Sequence, residues 1–248
     1  MPLLYLRRLT GSTRTESANR HLACFLAFIA GAANAGGLLA VGQYTSHMSG
    51  IVSAMADNLA VGSVLLALRG LGAVGAFVAG AFFTTLMVRW ARAHKLDSEY
   101  ALPLMFEAVL LVLFGLTGRV FETGHLVQDT VMLLCFTMGL QNAIITKISG
   151  AVIRTTHLTG MLTDVGISLG RVFYDGVGGH VRELGAEGKK LRLHLSLVVL
   201  FFAGGFVGAI GFKHVGFLFT LPLAGMLVML AVMPVLDDLR RTRRAVVE

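Results

Sequence analysis

Charged side chains are scarce in this chain: Asp, Glu, Lys and Arg make up 14% of its 248 residues, against about a quarter in a soluble domain. Four prolines against thirty glycines argue against a loop-rich soluble fold and suit helices that pack closely in lipid. The two cysteines, Cys24 and Cys135, both fall inside apolar runs with no CxxC spacing, which excludes a disulfide framework and a structural zinc site. No Walker loop, HExxH, GxSxG or zinc-ligand spacing occurs, so neither an enzyme nor a cofactor or metal site is expected. No stripe of arginine and aromatic residues marks a nucleic-acid surface, although the net charge is +7.

What the chain has is hydrophobicity, at 55% of residues with a mean hydropathy of +0.75. Runs of about 20 apolar residues recur, enough at 1.5 Å per residue to cross a hydrocarbon core about 30 Å thick. They lie near 21–42, 46–68, 70–90, 101–120, 127–147, 156–173, 193–212 and 216–236. The basic residues cluster between them, as the positive-inside rule requires. The first run, with Arg7, Arg8, Arg14 and Arg20 before it and Ala33-Asn34-Ala35 within it, imitates a cleavable signal peptide. Its later counterpart argues instead for a retained helix. The chain therefore reads as one all-α membrane domain over 1–248, in contact with the bilayer.

Two runs are unusual. The 46–68 run holds Asp57 and Asn58, and the 156–173 run holds Asp164 with several Thr, Ser and Gly. Such segments suit burial between helices, or entry and exit on one side. They also belong to an internal repeat. Thr45-Ser46-His47-Met48-Ser49-Gly50 matches Thr155-Thr156-His157-Leu158-Thr159-Gly160. Gly31 and Asn34 match Gly139 and Asn142, Phe77 to Phe82 match Phe201 to Phe206, and Leu102-Pro103-Leu104 matches Leu221-Pro222-Leu223. The offset grows where the second half carries a polar stretch at 174–192, which reads as a cytoplasmic linker. The halves are about 20–120 and 128–237, between cytoplasmic tails at 1–19 and 238–248.

Charge then decides the topology. If all eight runs cross from a cytoplasmic N-terminus, the outside receives Arg89, Arg92, Lys95, Lys147, Arg154 and Lys213 of the 21 Lys and Arg, and the repeat is parallel. If the two polar runs are broken or re-entrant, six crossings remain and only Arg69, Arg119 and Lys213 lie outside. The second arrangement obeys the positive-inside rule better and makes the halves an inverted repeat, whose paired polar segments point to a site near the midplane.

The polar residues inside these runs are the candidates for function. Asn34, Gln141 and Asn142 present amides that are either interhelical glue or the lining of a route. Thr45, Ser46 and Ser49, with Thr155, Thr156 and Thr159, could cap helix N-termini or leave those termini open to a polar or anionic ligand group. His47 and His157 are repeat-equivalent and either bind helix-end carbonyls or act as proton or anion partners. Asp57, Glu107 and Asp164 are the carboxylates that could exchange protons within the bilayer, unless they reach the headgroups from helix ends. Gly72, Ala76, Gly80 and Thr84, with Gly204 and Gly208, form small-residue ribbons for close packing between the halves or between protomers.

With Gly31-Ala32-Ala33-Asn34 followed by Tyr44 to Gly50, and Met138-Gly139-Leu140-Gln141-Asn142-Ala143 followed by Thr155 to Gly160, the chain resembles the YoaK-like family of small bacterial membrane proteins of unknown function. The likeness covers most of 20–236. It departs at Asn34, where the family usually has Asp, and at Ile51, where Asn often follows the glycine. The resemblance implies a bacterial inner-membrane location and no established activity. The residues suggest a transporter or permease for an unknown small solute, with a non-transporting scaffold, sensor or assembly partner as the alternative. So small a chain would suit a homodimer.

Overall fold

The computed structural model describes residues 7, 9–11, 15–121, 127–149, 156–178 and 181–247, and no strand occurs among them. The helices are α1 (Glu16–Val41), α2 (Met48–Ala60), α3 (Val64–Ala93), α4 (Ala101–Phe121), α5 (Val127–Ile148), α6 (Leu158–Gly178), α7 (Val181–Val215) and, after a 3-10 turn at Gly216–Phe219, α8 (Thr220–Val247). The chain is a helix bundle, as its composition predicts.

Local chemistry sets several of the ends. Thr15 caps α1, its Oγ1 accepting from Ala18 N–H at 3.2 Å, which satisfies one of the donors a helix N-terminus leaves open. Gly42 closes the same helix in the left-handed region, φ 70°, with its N–H on the Leu38 carbonyl, a position glycine adopts without steric cost. The apolar run 46–68 is cut at 61–63, not at its polar end: Gly62 sits at φ 78°, so α2 stops after 13 residues and α3 starts at Val64. The stretch 174–192, expected as a linker, is largely helical, since α6 continues to Gly178 and α7 begins at Val181. Its glycines leave no apolar periodicity to read, yet the helices on both sides propagate into it.

Among the described residues, four stretches are long and apolar enough to cross a membrane: Glu16–Leu39, Val64–Ala93, Val127–Ile148 and Glu187–Arg241, the last taking in both α7 and α8; a shorter apolar helix covers Ala101–Leu116. The bundle is also apolar on its outside. Leu65, Phe82, Phe202 and Phe206 are each more than 60% exposed, a surface that a water-soluble protein would not present. These helices contact a lipid bilayer.

The interhelical contacts are set by glycine. A Cβ on Gly31 would overlap the Phe201 carbonyl oxygen, and one on Gly139 the Phe77 carbonyl oxygen. A Cβ on Gly80 would meet the Phe136 carbonyl oxygen, and one on Gly204 that of Phe28. Backbones therefore touch where α1 crosses α7 and where α3 crosses α5, and Thr84 Oγ1 adds a bond to the Leu140 carbonyl at 3.1 Å. The small-residue ribbons thus join helices within one chain.

Direction follows from which residues meet. Along α1 and α7 the partners rise together, Phe28 with Gly204, Ala32 with Gly208 and Gly36 with Phe212, so these helices are parallel. Helices α4 and α8 are antiparallel. The N–H of Ser98, just before α4, donates to Asp238 near the end of α8 at 2.8 Å, whereas Gly115 near the other end of α4 abuts Thr220, the first residue of α8. Asn19, early in α1, donates to the carbonyl of Ile148, the last residue of α5, at 3.3 Å. Ion pairs gather at this end of the bundle: Arg92 with Glu99 at 2.5 Å, Arg241 with Asp97 at 2.6 Å and Arg7 with Asp237 at 2.7 Å.

Candidate functional site

A cavity of about 870 Å³ lies where the two polar motifs meet. Its lining is built almost entirely from matched positions of the two halves: Asn34 and Asn142, Ser46 and Thr156, His47 and His157. Ser49 and Thr159, Met48 and Leu158, and Phe77 and Phe201 complete the set, with Tyr44 and Thr146 at the margins. No Asp, Glu, Lys or Arg lines it among the described residues.

Each motif is fastened to the long helix before it by an amide. Asn34 Oδ1 accepts from both Ser46 N–H, at 3.2 Å, and Ser46 Oγ–H, at 3.0 Å. Asn142 Oδ1 accepts from Thr156 Oγ–H at 2.6 Å, and its Nδ2 donates to the Met138 carbonyl at 2.9 Å. The Ser46 and Thr156 hydroxyls therefore bind amides. Helix α2 starts at His47 with no side-chain cap.

The histidines and the glycines of the motif act together. A Cβ on Gly50 would overlap the His47 ring, and a Cβ on Gly160 the His157 ring. Each imidazole thus lies back over the first turn of the helix that follows it, in space that only glycine leaves. Both rings are exposed, at the cavity wall.

The other candidates sit elsewhere. Thr45 is buried beside Gly37, its hydroxyl without a partner among the described residues, and it does not line the cavity. Thr155 lies outside the described residues. Asp57 is exposed on α2. Asp164 is exposed on α6, 3.9 Å from His194 Nε2 on α7, away from the cavity lining. Glu107 on α4 and Gln141 on α5 are fully buried, and neither the carboxylate oxygens nor the amide atoms have a hydrogen-bond partner among the described residues. Phe77 and Phe201 are lining residues that pattern reading missed as site residues. Their signal was present, since both open the repeated six-residue match.

Long apolar helices with apolar side chains on the outside of the bundle define an integral membrane protein of the helical class. Residues 22–233 match the family described as "Protein of unknown function (DUF1275)", and the chain belongs to that family. It is also 29% identical over 167 residues to the "UPF0700 transmembrane protein YoaK" of Bacillus subtilis (strain 168), covering 64% of this chain and 72% of that protein. No solved structure matches the chain.

Proposed function

We propose that the protein is a non-enzymatic, small-solute permease of the bacterial inner membrane, with its site in the cavity between two inverted repeats. The observation that carries this reading is the cavity's lining, in which polar groups from one half face their counterparts from the other. The contacts around it support a repeat, because exchanging the halves exchanges the contacts: Gly31 against Phe201 becomes Gly139 against Phe77, and Gly80 against Phe136 becomes Gly204 against Phe28. Six crossings account for the antiparallel pairs α4–α8 and α1–α5, which eight crossings would make parallel. The 13 residues of α2 reach about 20 Å, short of the hydrocarbon thickness. The charged end of the bundle is then the cytoplasmic one, with both termini there. Rocking of the halves about the cavity would give access to each side in turn.

Swelling of proteoliposomes, followed by light scattering in a panel of small carboxylates, amides, polyols and ammonium ions, tests this. At least one class should enter faster than in protein-free vesicles, and Thr159→Trp, which fills the cavity but spares the Asn142–Thr156 bond, should stop it. The bonds from Asn34 and Asn142 to the motifs also suit a second reading, a scaffold whose polar residues only fasten helices. That reading expects no flux for any solute, and Thr159→Trp without consequence.

A further inference from the structure

We infer that the cavity selects a small monovalent organic carboxylate; this rests on the permease reading and names the solute class of the same site. The argument is an inventory of donors and acceptors. The amide acceptors that face the cavity are already used, Asn34 Oδ1 twice by Ser46 and Asn142 Oδ1 by Thr156. A backbone N–H can only donate, so the atom of Asn34 that meets Ser46 N–H must be its oxygen. The Nδ2 of Asn34 is therefore the atom left over. Asn34 is 9% exposed, and the spare donor belongs to a side chain that lines the cavity. Asn142 Nδ2 gives one N–H to the Met138 carbonyl and keeps the other.

Further donors converge on the same space. The first helical bonds are Ile51 N–H to the His47 carbonyl and Met161 N–H to the His157 carbonyl, each 3.1 Å. The N–H groups of Met48 and Ser49, and of Leu158 and Thr159, precede the first acceptor of their helix, and all four residues line the cavity. His47 and His157 each bring an imidazole that donates from at least one nitrogen. A surplus of donors with no acidic group in the lining calls for an acceptor-rich, anionic solute. Neutral donors without a Lys or Arg can balance one negative charge better than two, which favours a carboxylate over a dianion. Phe77 and Phe201 supply apolar wall for its hydrocarbon part.

The test is thermal unfolding of the full chain in detergent, at fixed ionic strength, with propionate, benzoate, propionamide, propylammonium or sulfate. Propionate or benzoate should raise Tm in a saturable way while the amide, the cation and the dianion do not. Asn34→Asp keeps an acceptor for Ser46 but turns the spare donor into a carboxylate oxygen, and should weaken the carboxylate response about tenfold or more. If that variant does not fold, His157→Phe keeps a ring over Gly160 without its donors and should show a loss in the same direction. A carboxylate response unchanged in the folded variant overturns the inference. So does stabilisation by propionamide, propylammonium or sulfate with none by the carboxylates, an outcome that leaves the permease reading standing. Silence across all five, together with no swelling in any solute, removes both.

Discussion

Among single residues, the two asparagines divide their work unequally, and the difference is measurable. Asn142 accepts from Thr156 and donates to Met138, which holds the second motif in place, whereas Asn34 spends only its oxygen, on Ser46. A double-mutant cycle of Asn142→Ala with Thr156→Ala, read by denaturant unfolding in detergent, should give a coupling of about 0.5–1.5 kcal/mol. A coupling near zero would mean that the bond adds nothing beyond packing. Glu107 poses the opposite case, a fully buried carboxyl with no partner among the described residues. Nothing bonded is lost on replacing it, and burying a carboxyl without a hydrogen bond carries a desolvation cost that an apolar side chain does not. Glu107→Leu should therefore keep or raise Tm in detergent. If flux through the cavity falls in the same variant, Glu107 serves transport and not stability; a lowered Tm with normal flux would assign it to the fold. The sequence made the residue types of the site legible, through the likeness of two hexapeptides. It did not reveal that Ser46 and Thr156 bind back to Asn34 and Asn142, because that pairing depends on how far each chain dips after its long helix.

Between helices, glycine positions decide how closely the two halves meet. Gly31, Gly80, Gly139 and Gly204 each face a backbone carbonyl oxygen of the opposite half, and backbone cannot rotate away as a side chain would. Alanine at any of them should force its helix pair apart and cost roughly 1–3 kcal/mol. Gly166→Ala and Gly170→Ala on α6, where an added Cβ meets nothing, should cost nothing and could gain from helix propensity. Thermal melts of the six single variants in one detergent would separate the two groups, and equal behaviour would refute the close-contact account. These glycines were visible in the sequence as small-residue ribbons, but their partners were not. Periodicity says that a ribbon packs, whereas the choice between a partner half and a partner chain is made by tertiary contact. The same limit explains why the helix boundary falls at 61–63 and not between the 46–68 and 70–90 runs. Gly62 ends a helix by taking a left-handed conformation, and one glycine among many apolar residues carries no mark of that in the sequence.

For the whole molecule, direction through the membrane ties the charges, the repeat and the cavity together. Six crossings with a cytoplasmic N-terminus put Ser63, between α2 and α3, outside the cell, and Lys95, between α3 and α4, inside. Eight crossings reverse both positions. Lys213, at the end of α7, lies outside in either case. Single cysteines at Ser63, Lys95 and Lys213, in a chain with Cys24 and Cys135 replaced, therefore separate the arrangements in one experiment. Lys95 is exposed, and it spares Arg92, which is engaged with Glu99 and Tyr100. With a membrane-impermeant thiol reagent on intact cells, Lys213→Cys should label as the control, Ser63→Cys should label as well, and Lys95→Cys should label only after permeabilisation. In that case α2 begins and ends on the outer side, α6 on the inner side, and the cavity is approached by one polar segment from each face. This is the geometry alternating access requires. Labelling of Lys95→Cys in intact cells with protection of Ser63→Cys would make the halves parallel, and the matched residues of the cavity would then enter from the same face. A parallel pair cannot open to opposite sides by exchanging the roles of its halves, so the argument for a midplane site between two re-entrant segments would fall even though the cavity remained.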